Sequence, residues 1–172
     1  EHLRKWFEPQ FVADLVAGLR KAGLGAPAAS GPARAEEGFW VAVLPFKATG
    51  GGADLPALAE GLSEEIVTGF SRFSYLRVIS RGATSRLASG ATDVRAVAKE
   101  IGARFVLEGS LRQAGSRLRA AVQLTDAATG AHLWAETYDR PFDTGDAFAL
   151  QDDLVPRIVS TCADHFGVLA RA

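Results

Sequence analysis

The apolar residues of this 172-residue chain change their spacing several times. In 39–46, "FWVAVLPF", they occupy both alternating sets, which predicts a central strand covered on both faces. A short strand is predicted over 76–80. Strands with one apolar face are predicted over 103–113, 117–127 and 132–140, and the short glycine-bearing turns between them force antiparallel hairpins.

Three segments between and after these strands carry the spacing of amphipathic helices. The first begins at Asp54, the predicted N-cap, and extends to Phe73. The second spans 92–102, which opens with Thr and Asp and ends with Gly. The third follows the aspartate pair "DD" as its cap, with Pro156 in the first turn and Phe166 on the buried stripe.

The element order βαβαβββα predicts an α/β domain over 39–172, with a mixed five-stranded sheet and helices mainly on one face. Residues 1–24 are predicted as a separate amphipathic helix, because Phe11 and Leu15 begin an apolar stripe at helical spacing. Residues 25–38, mostly Ala, Gly, Pro and Ser, are predicted as a flexible linker. We expect the N-terminal helix to pack on the outer sheet face, in its own chain or in a homodimer.

The sheet face turned away from the helices collects charged and aromatic residues. Alternation along the later strands predicts these outward positions: Arg104, Glu108, Arg112, Arg119 and Gln123. The last strand is assigned to the same side, which gives a candidate protein-contact face of Arg112, Arg119, Trp134, Glu136 and Tyr138. Such a face is only half suited to water, so the N-terminal helix, a second copy or a neighbouring domain is expected to cover it.

Composition adds three constraints. The chain has no methionine, even at position 1, so we expect an excised piece of a longer protein. The single Cys162 cannot form an internal disulfide. No apolar run reaches the ~18 residues of a membrane span.

The run from "VLEGSLR" through "LTDAATGAHLWAETYDR", within a match from about Val41 to Val159, resembles the TolB-like amino-terminal domain family. The resemblance implies a non-catalytic α/β module of larger bacterial proteins. Similar modules follow a class III adenylate cyclase domain or a winged-helix DNA-binding domain, and often precede tetratricopeptide repeats. It also implies protein assembly or signal relay in the cytoplasm, with the periplasm, where TolB works, as the alternative. The chain departs from the family pattern at "KATGGGADLP" and at Pro156.

The glycine-rich segment 47–54 resembles a phosphate-binding loop, but a P-loop requires Lys-Ser/Thr after its glycines. Here Lys47 precedes the glycines, Asp54 would repel phosphate, and Pro56 removes an N–H donor. A surface connection is therefore favoured, and a small-anion or nucleotide-sensing site is the alternative.

No catalytic, metal or cofactor site is predicted. The three histidines and Cys162 have no metal-ligand spacing. The carboxylate pairs 64–65 and 152–153 are adjacent, so on a helix they diverge by ~100°. Basic residues concentrate in 72–119, but Glu108 and Glu136 would oppose phosphate on the sheet face, which favours a protein partner over nucleic acid. The sequence predicts a non-enzymatic interaction or signal-relay domain of an adenylate cyclase-like protein.

Overall fold

The computed structural model describes residues 39–88, 93–142 and 146–172. The N-terminal helix 1–24, the linker 25–38 and a dimer through that helix concern residues outside these ranges. They stay predictions.

The described part contains six strands, four α-helices and a short 3₁₀ helix. The strands are β1 (Phe39–Val43), β2 (Lys47–Gly50), β3 (Leu76–Val78), β4 (Phe105–Ala114), β5 (Arg117–Asp126) and β6 (His132–Pro141). The helices are α1 (Asp54–Phe70), α2 (Arg81–Ala88), α3 (Val94–Ile101) and α4 (Ala147–Ala163), followed by the 3₁₀ helix Leu169–Arg171.

The strands form one mixed sheet in the order β3-β1-β4-β5-β6, with β2 paired to the second half of β4. The pairs β1–β3, β1–β4 and β2–β4 are parallel. The hairpin pairs β4–β5 and β5–β6 are antiparallel. The predicted α/β class and mixed sheet are confirmed.

Two elements were not predicted. The predicted five-stranded sheet has a sixth strand, because Lys47–Gly50 pairs in parallel with Ser110–Gln113 and extends the line of β1 along β4. The sequence "KATGG" has no apolar alternation, so only its backbone pairing identifies it as a strand. The second addition is α2, whose start is tied to α1 by ion pairs from Arg81 to Glu60 and Glu64.

Three local predictions about helix ends need correction. Ala53, not Asp54, precedes the first turn of α1, and it makes no side-chain cap hydrogen bond. Pro156 lies inside α4, because the buried stripe extends back to Leu150 and the helix begins at Ala147. Phe166 is 86% exposed after the helix has ended. By contrast, α3 has its predicted cap, since Asp93 accepts from the Arg95 amide at 2.9 Å.

The two long helices α1 and α4 cover one face of the sheet, here called the inner face. Buried residues there include Leu62 and Ile66 of α1, Ile158 of α4, and Leu107 and Leu124 of the sheet. The opposite face, here called the outer face, has a smaller apolar cluster beneath α2 and α3, formed with Ala42, Leu44 and Val106. That cluster covers only the region of β1, β3 and the start of β4.

Glycines allow α1 and α4 to approach closely. A Cβ added at Gly69 would lie 2.6 Å from a Val159 methyl, and one added at Gly61 would overlap the Gln151 amide. Real Cβ atoms do not come that close to other heavy atoms. The inner helix layer is therefore tightly packed against itself as well as against the sheet.

Candidate functional site

The five residues of the predicted contact face lie on two different faces. Arg112 and Arg119 are directly paired across β4 and β5 and point outward. Trp134 and Tyr138 pair with Leu124 and Ala120, which are inner-face core residues. Because directly paired residues share a face, Trp134, Glu136 and Tyr138 belong to the inner side, and their assignment to the outer face is wrong. The reason is the weak contrast between apolar and polar positions along β6. In addition, the pairing of β6 with β5 has a register shift at Leu124/Thr125.

The inner-side residues of β6 have structural contacts. Tyr138 is 6% exposed in the core. Burial, and secondarily the nearby charge of Glu136, raises the pKa of the Tyr138 phenol. The next inner-side residue, Arg140, donates to Asp153 of α4 at 2.8 Å and so links the edge strand to the helix. These contacts hold β6 against α4.

The outer face of β4–β6 has a regular arrangement set by the register. One row across the strands is Glu108, Gln123 and Ala135. The next row is Lys47, Ser110, Ala121 and Thr137. The last row is Thr49, Arg112, Arg119 and Asp139. The first two rows hold small or uncharged residues at their centre, and the last row is charged.

The first two rows form the floor of a cavity that we call the outer trough. Its volume is about 510 Å³, and its floor includes Ser110, Ala121 and Thr137. Val94 and Val97 of α3 form one wall. The row of Arg112, Arg119 and Asp139 follows on the opposite side. This volume lies within the ~300–1,000 Å³ range common for binding pockets, so the trough can receive a side chain or a segment of another molecule.

Charges around the outer trough are only partly neutralised. Arg119 donates to both carboxylate oxygens of Asp139, at 2.8 and 3.1 Å. That hydrogen bonding holds the pKa of Asp139 below its usual range. Glu108 accepts from the Gln123 amide. Lys47 and Arg112 are exposed, and neither has an ion-pair partner within the described ranges. The trough therefore has unpaired positive charge at its β2/β4 end.

Arg104, predicted to point outward, lies instead against inner-side aromatic rings. Its guanidinium carbon is 4.8 Å from the Phe105 ring centroid and 5.5 Å from that of Phe39. These distances fit cation–π contacts. Arg104 therefore contributes no charge to the outer trough.

The glycine-rich segment has a packing explanation. Gly50 and Gly51 both have φ of 73°, a conformation that favours glycine. A Cβ at Gly50 would lie 2.9 Å from the Gln113 carbonyl oxygen, and one at Gly51 2.6 Å from the Gln113 side-chain oxygen. These contacts fit the glycines to the edge of β4, so they give no support to the alternative of an anion site.

Two further features bear on chemistry. Within 39–88, 93–142 and 146–172, no group of three His, Cys, Asp or Glu side chains is placed to hold a metal ion. Burial raises the pKa of the Cys162 thiol to about 12, which disfavours the nucleophilic thiolate.

Within 39–88, 93–142 and 146–172, no helix combines the length and apolarity needed to cross a bilayer.

Sequence reasoning found Glu108 and Gln123 of the trough floor but missed its small residues. Alternation from Gln123 would have found Ala121, because it lies two positions away on the same face. The sequence also has small residues at several outward positions of the three strands: Ser110, Ala121, Ala135 and Thr137. The prediction considered only charged and aromatic residues at such positions.

Comparison with known proteins identifies the family. Residues 37–157 match the family model described as "HilA/YgeH-like transcriptional regulator, second domain". The chain belongs to this family. All the residues of the outer trough lie within the matched range.

A full-length relative shows how this HilA/YgeH-like second domain occurs in a longer protein. The chain is 42% identical over 120 residues to "Putative adenylate cyclase 3" of Rhizobium meliloti (strain 1021). The match covers 70% of this chain and 20% of the relative. The chain thus spans about a fifth of the length of the curated relative that it matches.

Among solved structures, this HilA/YgeH-like domain is similar to TolB from Acinetobacter baumannii. The TM-score is 0.50 at 16% identity, over 73% of this chain and 28% of that one. The likeness establishes a shared fold. It agrees with the fold implied by the TolB-like resemblance, while the family that matches is the HilA/YgeH-like one.

Proposed function

We propose that this chain is a non-catalytic interaction domain of a larger bacterial protein, and that it relays a signal through protein contact at the outer trough. We assign the domain to a cytoplasmic signalling protein of adenylate cyclase type, related to TolB-like amino-terminal domains. The observation that carries the proposal is the uncovered outer face of β4–β6, where Ala135, Thr137 and Asp139 are exposed. Among the described residues, the outer-face helices α2 and α3 lie over β1, β3 and the start of β4 and leave the rest of these strands open.

The comparisons support this proposal from two directions. The matched family is named for the second domain of transcriptional regulators, and the full-length relative is named for an adenylate cyclase. The same kind of domain is thus found in proteins whose names describe different activities. A domain shared in this way is better suited to protein contact or signal relay than to catalysis of one reaction. One fold serves many functions, so the surface of the domain, and not its fold, supports this role.

Hydrogen exchange tests the proposal. The amides of β5 and β6 are to be measured in the 172-residue chain and in the longer protein that contains it. Contact at the outer trough stabilises the bound form, so exchange should slow by about tenfold or more in the longer protein.

The substitution Ala121→Arg should remove that slowing, because it places a long charged side chain in the trough. Asp152→Arg is the matched control, since Asp152 is exposed on α4. It should leave the slowing intact. Equal exchange in the short and long proteins contradicts the proposed function.

A further inference from the structure

The two sides of the sheet differ in their helix layers. On the inner face, α1 and α4 are 17 residues each and pack against one another. On the outer face, α2 and α3 have 8 residues each and lie over the other part of the sheet. Beside α3, on the outer face of β4–β6, there is room for another helix that none of the described residues fills.

The floor of the outer trough suits a helix. Ser110, Ala121, Ala135 and Thr137 are small, so the backbone of a partner can come close to the sheet. The backbone groups of β4 and β5 are already paired with neighbouring strands. An extended segment could therefore not add to these strands by backbone hydrogen bonds. A helix satisfies its own backbone and needs only side-chain contacts.

The wall and the opposite row set the chemistry of such a helix. The half-buried Val94 offers an apolar surface on one side, backed by the buried Val97. Lys47 and Arg112 stand at the β2/β4 end without ion-pair partners among the described residues, whereas Arg119 is neutralised by Asp139. Charge complementarity therefore calls for acidic residues on the flank that meets Lys47 and Arg112.

We propose that the outer trough binds an amphipathic helix of a partner polypeptide, with its apolar stripe against Val94 and Val97 and an acidic flank toward Lys47 and Arg112. This inference rests on the proposed function and names the kind of segment that makes the contact. Phosphate-rich partners fit less well, because Glu108 lies in the floor of the same trough.

Two synthetic helical peptides test the inference. They share one leucine stripe at i, i+3/i+4 and i+7 and the same length. One has glutamates on the flank and the other has lysines. Binding is followed by NMR on the ¹⁵N-labelled 172-residue chain. The glutamate peptide should shift the amide signals of Val94, Val97, Ala121 and Thr137 and should bind about three- to tenfold more tightly than the lysine peptide.

A charge swap makes the test specific. The double variant Lys47→Glu/Arg112→Glu should reverse the preference, so that the lysine peptide binds more tightly. Arg171→Glu is the control, since it changes an exposed cation outside the trough and should leave the preference unchanged. Each variant is checked by its NMR spectrum for an unchanged fold.

Four results would overturn the inference. They are binding without charge preference, shifts mapped to another surface, self-association of the chain through Ala121 in sedimentation, and shifts of the Ala121 and Thr137 signals when residues 1–24 are deleted. Self-association would make a second copy the occupant, and the effect of the deletion would make the predicted N-terminal helix the occupant. Failure of the peptides together with slowed exchange in the longer protein rejects the acidic helix and leaves the proposed function standing. If the peptides do not bind and exchange is equally fast in the two proteins, the proposed function is rejected as well.

Discussion

The inner and outer faces of the same strands have opposite chemistry. On β4, Leu107 and Leu111 are fully buried beneath the inner helices, whereas Ser110 between them is only half buried on the outer side. On β5, Leu124 is fully buried and its neighbour Gln123 hydrogen-bonds to Glu108 in the outer trough. One hairpin therefore supplies both the core of the domain and its candidate contact surface.

The difference separates what stabilises this domain from what it can offer to a partner. The inner face is covered by its own helices, and its polar contacts, such as Arg140 with Asp153, tie elements of the domain together. The outer trough has small side chains in its floor, is open, and carries some charged residues. Substitutions on the two faces should therefore affect different measurements.

The largest effect is expected from core truncation. Leu111→Ala should reduce the free energy of unfolding by about 2–5 kcal/mol, because it removes a fully buried side chain and leaves a cavity. Ser110→Ala, one residue away on the outer face, should change it by less than about 0.5 kcal/mol. Urea unfolding of both variants measures this difference. Similar losses would show that the outer face is part of the stabilising core.

A smaller effect is expected at the contact between the inner helices. Gly69→Ala should destabilise the domain by about 1–3 kcal/mol, because the new Cβ would overlap Val159. Gly82→Ala in α2 is the control, since nothing lies within 4 Å of its new Cβ. It should be neutral or stabilising by up to about 1 kcal/mol through helix propensity. Thermal and urea unfolding would contradict the close packing if Gly69→Ala were equally harmless.

The smallest effect concerns ion pairs. Hydrogen bonds from Arg140 and then from Arg157 lower the pKa of Asp153. A carboxyl with a lowered folded pKa adds stability above its unfolded pKa of ~3.9, and this stability is lost as the pH falls through the lowered value. Asp153→Asn should therefore destabilise by less than about 1 kcal/mol at pH 7, and the difference should disappear in acid.

The outer pair provides the matched control for that prediction. Arg119 and Asp139 are 63% and 40% exposed, and solvent screens their attraction. Because the pKa of Asp139 is also lowered, Asp139→Asn should lose stability relative to the wild type in the same pH range, but by less than Asp153→Asn. A pH-dependent loss in Asp139→Asn equal to that in Asp153→Asn would remove the distinction between the faces.

Sequence patterns predicted the α/β class, the three-stranded antiparallel region and α3, because strong alternation and clear caps determine those elements locally. They did not predict β2, since "KATGG" becomes a strand only through its backbone pairing with β4. They also misplaced Pro156, because the tertiary burial of Leu150 and Leu154 outweighs the local preference for a helix start.

The candidate site was predicted only in part. Arg112 and Arg119 were assigned to the correct face, because Leu111 and Leu118 beside them fix the alternation. Trp134, Glu136 and Tyr138 were not, because Leu133 and Ala135 give too little contrast to orient β6. The register of β6 against β5 depends on the geometry of the turn between them and on the register shift at Leu124/Thr125, and it decides which side of β6 faces the trough.

Protein contact should cover the outer trough in the longer protein, and carbodiimide labelling of carboxylates tests this most directly. Glu108 and Asp139 report on the outer face, and the exposed Asp152 of α4 is the internal reference. Glu108 and Asp139 should be labelled in the 172-residue chain and protected in the longer protein, with Asp152 labelled equally in both. Equal labelling of Glu108 and Asp139 in the two proteins would contradict contact at the outer trough.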